Sequence, residues 1–207
     1  IREGDKLRPI TADDIVILLR APGSSGGFYQ AALEERGIRV NSGTGADLLQ
    51  TEEILFLRSM LQIIDNPFQD IPLIAALSSR IIGFTADDLA AIRAPGSKKK
   101  TVYESLRVSD MEKAQNFVSL LKQLRQDKRL CSLSELVDKL LQATRMDSIF
   151  ASFPDGAIKT ANLQAFYQLV RECEASNQKE LGQFLDYLEA MEEKGLSVVA
   201  DQKISGA

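Results

Sequence analysis

Two basic stretches could hold phosphate oxygens. Arg80 opens the run "RIIGFTADDL", and Lys98, Lys99 and Lys100 close the run "GSKKK". Within the first, Gly83 reads as a turn leading into a helix capped by Thr85. Such a helix start can hold an anion through its first backbone amides and its dipole, and Arg80 could add a charge-assisted contact. The candidate phosphate-contacting residues are therefore Arg80, Ile82, Gly83, Phe84 and Thr85, with Lys98, Lys99 and Lys100 beside them. Asp87 and Asp88 weigh the other way, because they can cap the same helix themselves. From the residues alone, a phosphate contact and an ordinary helix corner stand level at the Gly83 turn, and a solvated loop is the simpler account of the lysines.

Other chemistries find little support. With no histidine in the chain, His general bases, Ser-His-Asp and Cys-His catalysis, and His metal sites are excluded. Cys131 and Cys173 stand far apart without CxxC spacing, which fits two reduced thiols and a reducing, cytoplasmic setting. The acidic pairs Glu52-Glu53, Asp87-Asp88 and Glu192-Glu193 are adjacent residues, and adjacent side chains diverge on a helix, so they make poor metal clamps. "GTGADLLQT" (43–51) is glycine-rich but lacks the lysine of a phosphate-binding loop. No catalytic, cofactor or metal residue is expected within this chain.

The elements that would carry these residues fall into two parts. Residues 13–40 read as strand–loop–helix–strand: "DDIVILLR" as a buried strand, "APGSSGG" as a flexible loop, "FYQAALEERG" as a helix closed by Gly37, and "IRV" as a second strand. Beyond about Ala46 the pattern is helical. Helices are expected over 51–65, with Ile54, Leu57, Leu61 and Ile64 on one face, over 71–77 after the break at Asn66-Pro67, and from Thr85 onward. Ser109 with Glu112, Ser132 with Glu135, and Asn177 with Glu180 mark further starts by capping-box spacing. Leu163, Phe166, Tyr167 and Val170 stripe another helix over about 160–173.

Bulk numbers agree with a packed, water-facing protein. Hydrophobic residues make up 44% and charged residues 26%, with a formal net charge of -4, so any nucleic-acid contact must come from a local patch. No apolar run is long enough to cross a membrane and no signal peptide opens the chain. The first residue is Ile rather than Met, and "VVADQKISGA" closes no element, which reads as a piece of a longer protein.

The segments "DIVILLR", "GIRV", "TEEI", "IIDNPFQDIPLIAALSS", "IIGFTADDLAAIR" and "ANLQAF" together resemble one family. It is the AddA-type subunits of the bacterial AddAB helicase–nuclease, superfamily 1 helicases of the UvrD/Rep type. The resemblance covers nearly the whole chain and is most specific over 64–73. It implies a mainly α fold: residues 1–45 as a partial RecA-like (2A) motor segment of strand–helix–strand, and residues 46–207 as a helical 2B-like insertion domain. It implies that 65–73 is an architectural linker, with Asn66 and Asp70 capping helix ends. UvrD-like relatives carry Arg-Gly-Ile-Gly at the duplex-contacting turn, where this chain has Arg80-Ile81-Ile82-Gly83. The whole parent is then expected to use ATP and Mg2+, to act on DNA duplex ends or forks in recombination repair, and to pair with an AddB-type subunit. This piece itself is expected neither to hydrolyse ATP nor to cut DNA. A protein-interaction module packing on the motor domains or on AddB is the competing reading. It predicts an exposed apolar patch, whereas DNA contact predicts a one-sided positive patch including Arg80 and Lys98–Lys100.

Overall fold

The computed structural model describes residues 9–10, 14–20, 22–38, 40, 47–94, 101–176 and 180–193, together with the backbone of two short strands near the start. The chain divides into two compact units, Ile1–Asp47 and Leu48–Ala207.

In the first unit, β1 (Arg2–Glu3) pairs antiparallel with β2 (Lys6–Leu7), and α1 runs over Pro22–Glu34. The expected strand–helix–strand is not found among the described residues. Residues 15–19 have no regular structure, and Ile15, Val16, Ile17 and Leu18 are exposed, Leu18 to 91%. A buried strand needs ladder partners and a cover on its faces, and none is present for this run among the described residues. Ile38 and Val40 likewise form no ladder. The expected flexible loop at 21–27 is instead mostly helix. Proline is pre-organised for a first helical turn, and Pro22 begins α1 six residues before the predicted start at Phe28. The end is as expected: Gly37 adopts φ 75°, and the Ile38 amide returns to the Leu33 carbonyl at 3.0 Å.

The second unit is helical throughout its described residues. A 3-10 turn (Leu48–Gln50) leads into α2 (Glu52–Asp65), then α3 (Asp70–Ser78), α4 (Ala86–Arg93), α5 (Val102–Arg107), α6 (Glu112–Asp127), α7 (Leu133–Thr144), α8 (Met146–Ala151), α9 (Gly156–Ala175) and α10 (Leu181–Glu193). The centre is α2, which packs on α3, α6, α9 and α10. Its sequence explains this. Besides the expected Ile54, Leu57, Leu61 and Ile64, it buries Phe56, Met60 and Ile63, and a helix apolar on nearly all sides must be enclosed. The other stripes face the same core. Phe117, Leu121 and Leu124 come from α6; Leu136, Val137 and Leu140 from α7; Phe166 and Val170 from α9; Phe184 and Leu188 from α10.

Caps place the helix starts. Thr85 with Asp88, Thr101 with Glu104 and Ser132 with Glu135 each form a complete capping box. Two expectations change. Thr51 sits at the start of α2, but its hydroxyl donates to the Leu48 carbonyl at 2.9 Å instead of accepting from the helix. Ser109 accepts from the Met111 amide at 3.3 Å, so α6 starts later than the Ser109–Glu112 spacing suggests, with Met111 as its cap residue. Asn177 lies outside the described residues.

The break between α2 and α3 is an assembly point. Arg125 of α6 donates from Nη1 to the carbonyls of Ile64 (2.7 Å) and Asp65 (3.0 Å), satisfying the end of α2. Lys128 pairs with the Asp65 carboxylate at 2.6 Å. Asn66 Oδ1 accepts from the Phe68 amide at 3.1 Å. Asp70 does not cap its own helix as expected; its carboxylate accepts instead from the Val102 amide of α5 at 2.9 Å. The polar residues around Pro67 thus join α2 to α6 and α3 to α5.

Candidate nucleic-acid interface

The turn between α3 and α4 is built from its own hydrogen bonds. Ser79 leaves α3 with its hydroxyl donating to the Ala76 carbonyl at 2.6 Å. The Gly83 amide donates to the Ser79 carbonyl at 2.7 Å, and the Phe84 amide to the Leu77 carbonyl at 2.9 Å. Gly83 has φ 72°, a left-handed conformation that glycine adopts without a Cβ penalty. Phe84 then anchors the turn: it is 4% exposed and packs edge-on against Phe117.

The start of α4 already has an anion. The Asp88 carboxylate accepts from the Thr85 amide at 2.9 Å, and the Thr85 hydroxyl accepts from the Asp88 amide at 3.1 Å. Lys113 of α6 lies 3.4 Å from Asp88, donates to the Gly83 carbonyl and sits 4.6 Å from the centre of the Phe84 ring. The backbone hydrogen bond from Thr85 holds the Asp88 carboxyl below the usual carboxylate range; burial opposes it, and the Thr85 hydroxyl and Lys113 add to the lowering. An external anion would meet Asp88 at this helix end, so the cation of the turn matters more than its amides.

That cation is Arg80, 71% exposed at its side chain. Its Nε lies 3.5 Å from Oε1 of Glu52 at the start of α2. Its guanidinium carbon sits 5.5 Å from the centre of the Phe153 ring, between α8 and α9. The other carboxylate oxygen of Glu52 faces Lys159 Nζ at 3.2 Å. Lys159 also bonds Glu53 Oε2 at 3.0 Å, and Asn162 Nδ2 donates to Glu53 Oε1 at 2.6 Å. Glu53 is 1% exposed, Lys159 8% and Asn162 5%, so a hydrogen-bonded ion pair lies inside the unit, under the Arg80–Glu52 contact. Burial works to lower the Lys159 pKa, but the hydrogen bonds and charges of Glu53, Glu52 and Asp155 together outweigh it and raise the value.

The predicted candidates therefore separate. Arg80, Gly83 and Thr85 are exposed on one turn. Ile82 is half-buried against the core and Phe84 faces inward, so their side chains do not reach outward as Arg80 does. Lys98, Lys99 and Lys100 lie outside the described residues. Sequence reading missed Glu52, Lys113, Phe153 and Lys159 as parts of this region, and their separation along the chain gave no spacing signal. Glu53 did carry one: it falls four residues before Leu57 on a face continued by Met60 and Ile64, the phase of a core position.

Among the described residues no group of three or more His, Cys, Asp or Glu side chains could hold a metal ion, and no helix is long and apolar enough to cross a membrane. Residues 5–205 match the model of the UvrD-like helicase C-terminal domain. The chain is 33% identical over 193 residues to an ATP-dependent helicase/nuclease subunit of Carboxydothermus hydrogenoformans, covering 90% of this chain and 16% of that relative. Proteins of the same name from Bacillus cereus strain G9842 and Oceanobacillus iheyensis are 33% and 32% identical, covering 94% and 97% of this chain. The chain spans 16% and 17% of the length of those two relatives. It belongs to the UvrD-like helicase C-terminal domain family.

Proposed function

We propose that the chain serves as a non-catalytic DNA-handling part of an AddA-type helicase–nuclease, with the α3–α4 turn contacting duplex DNA near its end or fork. The observation that carries this reading is Arg80, a 71% exposed guanidinium on a turn fixed by Gly83 and anchored by Phe84. Gly83 and Thr85 would approach the backbone beside it, with Ile82 and Phe84 supporting the turn from within. Lys98, Lys99 and Lys100 would add phosphate contacts. In this reading the whole protein is a cytoplasmic, ATP- and Mg2+-dependent helicase and exonuclease. It works with an AddB-type partner in double-strand break repair by recombination. This chain has no GxxxxGK[ST] loop, and no ATP or metal step is assigned to its residues.

Fluorescence anisotropy with a blunt and a forked duplex, across a salt series, tests the contact. Arg80→Glu should weaken binding by at least about tenfold at low salt and flatten the salt dependence by about one counterion. A joint Lys98→Glu, Lys99→Glu, Lys100→Glu change reports separately on the second patch. Absence of binding by the unaltered chain at low salt overturns the reading.

One observation supports the protein-interaction alternative. Phe68, in the break before α3, and Ile71 and Ile74 on α3 are exposed to 52%, 85% and 41% within a span of seven residues, and contiguous exposed apolar residues mark contact surfaces. Under that reading Ile71→Glu would leave duplex binding unchanged and abolish capture by the motor domains or by the AddB-type partner.

A further inference from the structure

We infer that Phe153 and Glu52 are positioning residues for Arg80, which makes the α8–α9 corner part of the phosphate-contacting site. This rests on the duplex-contact reading. The guanidinium is held on two sides. Its central carbon lies over the Phe153 ring, 5.5 Å from the ring centre, and its Nε lies 3.5 Å from Glu52. Among the described residues nothing accepts a hydrogen bond from its terminal amines. Those two amines form the planar fork that grips phosphate through two parallel hydrogen bonds. An arginine seated over an aromatic ring and by its Nε presents that fork with less ordering left to do when DNA arrives.

Both walls of the seat are tied from below. Phe153 packs edge-on against Phe150, which is 1% exposed. Glu52 is tied at 3.2 Å to Lys159, itself bonded to the buried Glu53. Lys159 also offsets the charge of Glu52, so the carboxylate can hold Arg80 while repelling an incoming phosphate less. Glu52, Arg80 and Phe153 lie far apart in the chain, and they meet because α2 packs on both α3 and α9.

The test is duplex anisotropy on the full chain with Phe153→Leu, Phe153→Tyr, Arg80→Ala and the Phe153→Leu, Arg80→Ala double variant, each checked for an unchanged thermal midpoint. Phe153→Leu keeps an apolar side chain but removes the aromatic face, and should weaken binding about two- to fivefold, the range of an exposed cation–π contact. Phe153→Tyr should bind like the unaltered chain. In the Arg80→Ala background Phe153→Leu should have no further effect. An equal loss in both backgrounds, or no loss with Phe153→Leu, overturns the positioning role. If Arg80→Ala alone leaves affinity unchanged, it is the duplex-contact reading at this turn that fails.

Discussion

Among the described residues, Glu53 and Lys159 form the most deeply buried of the ion pairs. Removing one partner of a buried ion pair leaves an uncompensated charge and costs about 3–5 kcal/mol. Glu53→Ala is therefore expected to lower the urea midpoint sharply, while Glu52→Ala, at a side chain 47% exposed, should cost under about 1 kcal/mol. Two glycines separate steric from conformational demand. A Cβ on Gly156 would lie 2.2 Å from the Ala151 carbonyl oxygen, so Gly156→Ala must push α8 from α9, at roughly 1–3 kcal/mol or more. A Cβ on Gly83 meets nothing within 4 Å, but its φ of 72° is left-handed, and Gly83→Ala should cost about 1–2 kcal/mol from conformation alone. Equilibrium urea unfolding distinguishes these magnitudes. At this scale the sequence named Gly83 correctly as a turn, and Arg80, read there only as a candidate contact, is exposed beside it. It could not name Phe153, because a partner brought in by tertiary packing leaves no trace in local spacing.

Helices were legible where two signals coincided. Stripe and cap together marked α7, whose Ser132–Glu135 box and Leu136, Val137 and Leu140 face agree with the structure. The short α5 and α8, six residues each, were missed because so few turns carry little periodicity, although Thr101 and Glu104 had the capping spacing all along. Residues 15–18 misled for the opposite reason: Ile, Val and Leu in succession describe a strand only when a sheet receives them. The contact between α2 and α9 gives a pH signature. The proton on Lys159 is held more tightly in the folded than in the unfolded chain. Its stabilising contribution is therefore complete below about 10.5, the ordinary lysine value, and is lost as pH rises through the higher folded value. Thermal midpoints measured from neutral to strongly alkaline pH should fall in that upper window, and the decline should be smaller in Lys159→Met.

Among the described residues, the buried apolar cluster is drawn from Leu48 to Leu188. Cooperative stability should reside there, so a chain lacking residues 1–47 is expected to keep the urea midpoint of the full chain. Hydrogen exchange should show the α2 amides opening only with global unfolding and those of residues 15–18 exchanging at once. Division of the chain near Asp47 places the proposed DNA contact, the apolar face of α3 and the ion pair all within the second unit.

The enclosed ammonium of Lys159 also has a chemical consequence. Amines attack acylating reagents as the free base, and this one is both held protonated and 8% exposed. Surface lysines such as Lys122 will be modified while Lys159 stays silent. Its acylation, followed by mass spectrometry over time, becomes a clock that advances only when the helical unit opens.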